Sequence, residues 1–293
     1  MALPTVRYFE AAAATDSMLL SVWMPKLQEL LLDAGWEIEY ADADAIGTGS
    51  AETPAWDKTP EANTDAGIAV YKMPLNDHTT QWLVRFRPGW HSATSRPHMR
   101  GMQIGTTHTG GGTLTGGSTE MVPAAANVLT ETLAWQASVS EDGFAYISGT
   151  STTHPAWGFE RARSATGTVL DEAWGFNKYS SSTAGYESRH VSASVGEVSD
   201  SPPFALLTHE FGNVGSVIPS AESQDATRVM VLGPYLPGGS SFFAPPRHYV
   251  LASPEDVAEN SERVINVDGG DKTYKAMTDS ILVSIGIFMV AVT

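Results

Sequence analysis

The feature that most constrains this fold is a succession of short runs in which apolar and polar residues alternate, broken by turn formers at roughly ten-residue spacing. "TLAWQASVS" and "FAYIS" flank Glu-Asp-Gly at 141–143, a strong hairpin signal. "WGFERAR" and "VLDEAWGF" flank the turn "SATG", and "ESRHVSASVGEVS" continues the series. A period of two puts the apolar side chains of a strand on one face, so these runs predict antiparallel strands laid on a core. Further strands are predicted in "AGIAVYKMP", "QWLVRFRPGW", "ATRVMVLGPYLP" and the C-terminal 263–292 region. In "QWLVRFRPGW", Trp82, Val84 and Phe86 should face one side, and Leu83, Arg85 and Arg87 the other. The predicted fold class is mainly β: an antiparallel sandwich or barrel-like body.

Ahead of it stands one helix signal, "TDSMLLSVWMPKLQELLLDAGW". Leu19, Leu20, Trp23, Leu27, Leu30 and Leu31 recur at helical spacing, with Thr15 or Asp16 as N-terminal cap and Gly35 as C-terminal cap. Pro25 is expected to kink or split it. Trp36, Ile38 and Tyr40 then alternate with Glu37 and Glu39, a half-buried strand. Residues 47–66 are rich in turn formers and read as a long loop or extended arm, with Pro54 and Pro60 stiffening it and Trp56 as its one adhesive side chain. The expected organisation is an N-terminal part over 1–70 (helix, strand and arm) and a β-rich body over 71–293, with a sub-boundary near 199–224.

Charge and composition narrow the function. Of 293 residues, 42% are apolar, enough for a folded core, and only 17% are charged. A surface of small hydroxyl residues suits contact with other protein. The net charge is −16, with 17 basic residues spread thinly, which argues against sequence-specific nucleic-acid binding and against anionic membranes. There is no cysteine, hence no disulfide and no thiolate chemistry. The N-terminus has no basic region followed by an apolar run, so no secretion signal is expected. The strongest apolar run, 281–293, is shorter than the roughly 20 residues of a spanning helix and reads as a buried strand, so no membrane insertion is expected.

The most site-like stretch is "RPHMRGMQIGTTHTGGGTLTGGSTE", residues 96–120, with seven glycines and two histidines. A phosphate-binding loop needs Gly-Lys, and the chain contains no such pair. The dinucleotide pattern fails because Thr115 stands where its third glycine belongs. Two strands, over 99–107 and 113–122, around a turn at Gly110, Gly111 and Gly112 account for it. His91, His98 and His108 are candidates to meet across strands around a zinc ion, but polar residues at strand ends explain them more cheaply. "HEFGN" at 209–213 lacks the second histidine of a zinc-protease helix. "DADAIG" and "DGGDK" fall short of a calcium loop and read as Asx turns. The carboxylate pairs Asp171–Glu172 and Glu141–Asp142 lie beside turns, and no serine sits in G-x-S-x-G. No catalytic, cofactor or metal residue is assigned, no cofactor is expected, and the chain is not expected to be an enzyme.

The order of these parts (a short helix, a strand, the long loop "AETPAWDKTPEANTDAGIAVYKMP", then "QWLVRFRPGWHSATSRPHMRGMQIGT", "EDGFAYIS" and a closing pair of strands from "KTYKAM") resembles uncharacterised virion proteins of tailed bacteriophages. The resemblance implies a structural role in the tail or at the head–tail junction. It also implies many copies contacting one another and other virion proteins, and residence in the virion after assembly in the host cytoplasm. On that reading the 47–66 arm would place Trp56 in a neighbour's pocket, and the acidic surface would let DNA slide in a tail lumen. A carbohydrate- or receptor-binding β-sandwich is the alternative, which an exposed row of aromatic side chains would favour.

Overall fold

In the computed structural model the residues described are 5–12, 19–76, 78–90, 97–122, 134–149, 156–163, 168–178, 186–194, 196–197, 221–222, 228–230, 247–252, 257–258, 260–267, 270–276 and 287–293. In chain order the elements are β1 (Arg7–Ala11), α1 (Leu20–Asp33), β2 (Glu37–Ala41), α2 (Ala43–Ile46), β3 (Ala69–Lys72), β4 (Leu83–Trp90), β5 (Pro97–Gly105), β6 (Thr107–His108) and β7 (Leu114–Thr115). There follow β8 (Ala134–Ser140), β9 (Gly143–Gly149), β10 (Ala156–Arg163), β11 (Val169–Lys178), β12 (Tyr186–Ser192) and β13 (Gly196–Glu197). The last are β14 (Ala221–Glu222), β15 (Arg228–Met230), β16 (Tyr249–Ala252), β17 (Glu262–Val267), β18 (Gly270–Ala276) and β19 (Ile287–Ala291).

All strand pairs are antiparallel, and the protein is mainly β. The alternating runs form a seven-stranded sheet in which β8 to β13 follow one another and β1 is added outside β8. The two-residue turn at Glu141 and Asp142 joins β8 to β9, with Ser140 opposite Gly143, as the hairpin signal predicts. A four-stranded sheet, β2-β3-β4-β5, lies against one face. A six-stranded sheet runs β14-β15-β16-β19-β18-β17, and its outer strands β14 and β17 approach each other, curling it toward a barrel. Strand β19 of that barrel packs on β8 and β9.

The main core is aromatic. Trp82, just ahead of β4, and Val84 and Phe86 within it point inward as the alternation requires, while Leu83 joins Val70 and Leu114 on the other face. Phe86 meets Phe144 at 5.5 Å and Trp157 at 5.4 Å, and Tyr146 stacks on Trp157 at 4.6 Å. Helix α1 buries Trp23, Met24, Leu27, Leu30 and Leu31 against the same cluster. It begins later than expected: its N-cap is Leu19, without a side-chain cap, and Thr15 and Asp16 lie outside the described residues. Pro25 does not split it. The missing N–H deprives only the carbonyl of Ser21, an exposed residue, so water can replace the bond. At the other end Gly35 adopts φ 87°, Gly35 N–H donates to Leu32 O and Trp36 N–H to Leu31 O, a Schellman closure that turns the chain into β2.

Two expectations are corrected. The boundary expected at residue 70 is crossed by β3, which pairs with β2 before it and β4 after it, and β1 pairs with β8. The sub-boundary near 199–224 falls almost wholly outside the described residues. The 47–66 segment is not a free arm. Trp56 is fully buried in this chain's own core, held by Trp56 N–H to Ala45 O at 3.0 Å; Pro54 is buried beside it, while Pro60 and the residues on either side of the Pro54–Trp56 anchor face solvent. An indole with so much apolar area gains more from the nearest core than from remaining in water. That burial holds Trp56 at φ 55°, a left-handed conformation uncommon outside glycine.

The glycine stretch forms β5, β6 and β7, with Thr113 N–H closing on Gly110 O. The second expected strand is cut short: only β7 is regular, and Met121 bridges back to Met102. Gly110, Gly111 and Gly112 all have positive φ. A Cβ on Gly112 would lie 2.6 Å from Ile68 Cγ2, whereas one on Gly111 would meet nothing within 4 Å. Left-handed backbone costs a non-glycine residue about 1–2 kcal/mol. Gly111→Ala should therefore lose about that amount in urea unfolding and Gly112→Ala distinctly more; equal losses would contradict this packing.

Candidate functional site

The inner face of β8 carries Trp135, Ala137 and Val139, and alternation turns Gln136, Ser138 and Ser140 to the opposite face. That face is not in water. Gln136, Ser138 and Ser140 are at most 1% exposed, because the C-terminal barrel covers them. On β10, Trp157 and Phe159 face the core and Glu160 faces the barrel. Gly143 stands opposite Glu160, where any Cβ would lie 3.0 Å from that of Glu160. A β-bulge between Arg161 and Arg163 breaks the alternation, and Arg163 reaches Glu160 Oε1 at 3.3 Å.

Into this buried polar layer the barrel inserts Arg247 and His248, just ahead of β16. His248 Nδ1 lies 2.7 Å from Glu160 Oε2, and its Nε2 lies 2.9 Å from Ser140 Oγ. The Arg247 backbone N–H donates to both carboxylate oxygens of Glu160, at 3.1 and 3.0 Å. Tyr274 Oη donates to Arg247 O, and Ala291 N–H to His248 O, which seats the segment on β18 and β19. Beside it Asp142 accepts from Arg161 at 3.4 Å and from Arg247 at 3.5 Å, with His78 Nε2 at 3.5 Å. Lys272 of β18 is 3% exposed.

Burial pushes the Glu160 carboxyl up, but His248, then Arg163 and Arg247, outweigh that and hold it down at about 2. Burial lowers Lys272 to about 8; Glu160 opposes the shift, and Arg247 and Arg163 add to it. Glu160 is therefore a fixed anion that organises several donors, and Lys272 gives up its proton more readily than the arginines beside it.

The order hydroxyl, imidazole, carboxylate at these spacings is that of a serine-nucleophile triad. Its setting differs. Ser140 and His248 are 0% exposed and Glu160 is 2% exposed, and Ser140 Oγ also accepts the Asp142 N–H at 3.1 Å. What this geometry does is fasten the barrel to the seven-stranded sheet, by charge-assisted hydrogen bonds in a dry setting. Sequence reading missed it because the three residues come from distant parts of the chain, and because a polar residue on the outer face of an alternating run reads as solvated.

The residues considered from sequence are dispersed. His108 packs on Tyr40 at 4.9 Å and accepts the Gly112 N–H at 3.2 Å, so it fixes the glycine turn. His98 lies on β5 opposite Gly89, and His91 and the 209–213 motif lie outside the described residues. Among the described residues no group of three or more His, Asp or Glu side chains is placed to hold a metal ion. Asp42 of "DADAIG" caps α2 through the Ala45 N–H at 2.8 Å. Glu141 binds Asn76, Asp142 belongs to the buried layer, and Asp171 accepts from Thr79 and Thr80, whose hydroxyls lower its pKa. Pro54, Trp56 and Pro60 are remote from the layer in chain and role. Among the described residues no helix is long and apolar enough to cross a membrane. No protein-family model matches this chain, and no curated protein matches it.

Removing one member of a buried ion pair typically costs about 3–5 kcal/mol, because the partners stay buried and uncompensated. Glu160→Gln is expected to lose that much at pH 7 in denaturant unfolding. Glu160 is depressed from 4.5 to about 2, so its stabilisation is complete above pH 4.5 and disappears as pH falls toward 2. That acid limb should flatten in the variant. Lys272 runs the other way. The unfolded chain binds its proton more tightly, so stability should rise with pH between about 8 and 10.5. Lys272→Met should be more stable than the parent at pH 7 and lack that rise; a variant no more stable than the parent would contradict the burial of its charge.

Proposed function

We propose that the chain is a non-enzymatic structural subunit of a tailed-bacteriophage virion, present in multiple copies in the tail or at the head–tail junction. The order of its parts supports the virion assignment. The observation that carries the assembly role is the open edge of the seven-stranded sheet: β1 pairs with β8 on one side and, among the described residues, has no strand on the other. An unpaired edge is a template for a further strand, and isolated proteins usually blunt it. The polar groups with reactive chemistry are held inside as a fastening between sheets, which suits a body that must stay rigid under load. Its partners on this reading are its own copies and other virion proteins, and its net charge of −16 suits a lumen through which DNA slides.

The carbohydrate-binding alternative loses its main support. Trp23, Trp36, Trp56, Trp82, Trp90, Trp135 and Trp157, seven of the eight tryptophans, are at most 2% exposed and belong to the core.

Light scattering and negative-stain imaging of the purified protein should give a symmetric homo-oligomer. A stable monomer at high protein concentration would sink the assembly role. A fluorophosphonate probe tests the non-enzymatic reading: Ser140 should remain unlabelled in the folded protein, and labelling lost in Ser140→Ala would turn the fastening into an active site.

A further inference from the structure

Strand β1 is the one member of its sheet that reaches it from a distant part of the chain. β8 to β13 pair with their sequence neighbours, whereas β1 arrives from the N-terminus to register Arg7 with Val139 through Ala11 with Trp135. The two strands are unequal. All five residues of β1 are only partly buried, while six of the seven in β8 are buried. β8 thus needs a strand on its edge more than β1 needs the rest of the molecule.

The slot that receives β1 is made wholly by other parts of the chain. Phe9 packs on Trp135 at 4.8 Å, with Lys26 of α1 over its ring at 4.9 Å. Glu10 pairs with Lys275 of β18 and accepts from Tyr8 Oη. The ligand of the slot is a short extended segment with one aromatic and one acidic side chain, set between two lysines. Residues 12–19 join β1 to α1, and eight residues reach at most about 28 Å when extended. Exchange therefore requires the slot of the neighbouring copy to lie within that reach. The contacts of β1 are the same in either place, so they cancel from the choice. Linkage geometry and the new interface between copies then decide it, which makes exchange of an identical element a low-cost route to assembly.

We propose that β1 is an exchanged strand: in the assembled particle the β1 of one copy completes the seven-stranded sheet of the next by pairing with its β8. This rests on the assembly role above. Each copy gives one strand and receives one, a head-to-tail contact that closes into a ring when the rotation allows.

The chain has no cysteine, so introduced pairs report directly. Tyr8 lies opposite Ser138, and Arg7 opposite Val139 on the other face of the ladder, positions close enough for disulfide geometry. Tyr8→Cys with Ser138→Cys is oxidised as the assembled protein and run on a denaturing, non-reducing gel; Arg7→Cys with Val139→Cys serves if the first pair does not fold. Exchange yields covalent multimers, up to the whole ring, that reducing agent dissolves and that neither single-cysteine variant forms. A particle of the expected mass whose disulfides all lie within one chain overturns exchange and leaves the assembly role standing. Free thiols in both pairs after oxidation also overturn it. A monomer by light scattering before oxidation removes the assembly role itself.

Discussion

The carboxylate of Glu160 is the interaction on which the joining of the two β units depends. The seven-stranded sheet offers the C-terminal barrel a polar face, and burying such a face costs several kcal/mol unless its groups find partners. Glu160 accepts from the Arg247 backbone and from Arg163, and meets His248, which in turn reaches Ser140. Hydrophobic burial holds each unit together. What fixes how one unit sits on the other is directional, because hydrogen bonds in a dry layer tolerate little sliding.

The cation count around that carboxylate is a second constraint. Two buried acids, Asp142 and Glu160, stand among Arg161, Arg163, Arg247 and Lys272. Arginine keeps its charge under almost any burial, so the group relieves its surplus at the lysine. Glu160 and Asp142 each receive hydrogen bonds from both units, and only Glu160 also takes a backbone N–H, that of Arg247, on both of its oxygens.

Much of the body was legible in the sequence because it is local. Period-two alternation located β4, β8, β9, β10 and β11, and the inward set Trp82, Val84 and Phe86 followed from it. Gly35 read correctly as a helix terminator, since left-handed backbone at that position favours glycine. What was not legible is what lies on the far side of a strand. Ser140 and Glu160 alternate as solvent-facing residues do, and nothing nearby announces that another sheet covers them. Trp56 failed for the same reason in reverse: surrounded by turn formers, it looked detached, although its indole finds the core. Sequence pattern reports the face a residue occupies, and only tertiary structure reports what that face touches.

The separation of His248 from its partners has a consequence for the order of events in synthesis. It lies 88 residues beyond Glu160 and 108 beyond Ser140. While a ribosome is still making the barrel, every strand of the seven-stranded sheet has been synthesised, and a sheet formed at that stage would keep its polar face and its carboxylate in water. Such a sheet would present a polar side where the barrel later sits, with little to make it adhere to other chains. Docking of the barrel exchanges that water for arginine and imidazole. A face that would be a liability if it were greasy is thus harmless for as long as the chain is unfinished.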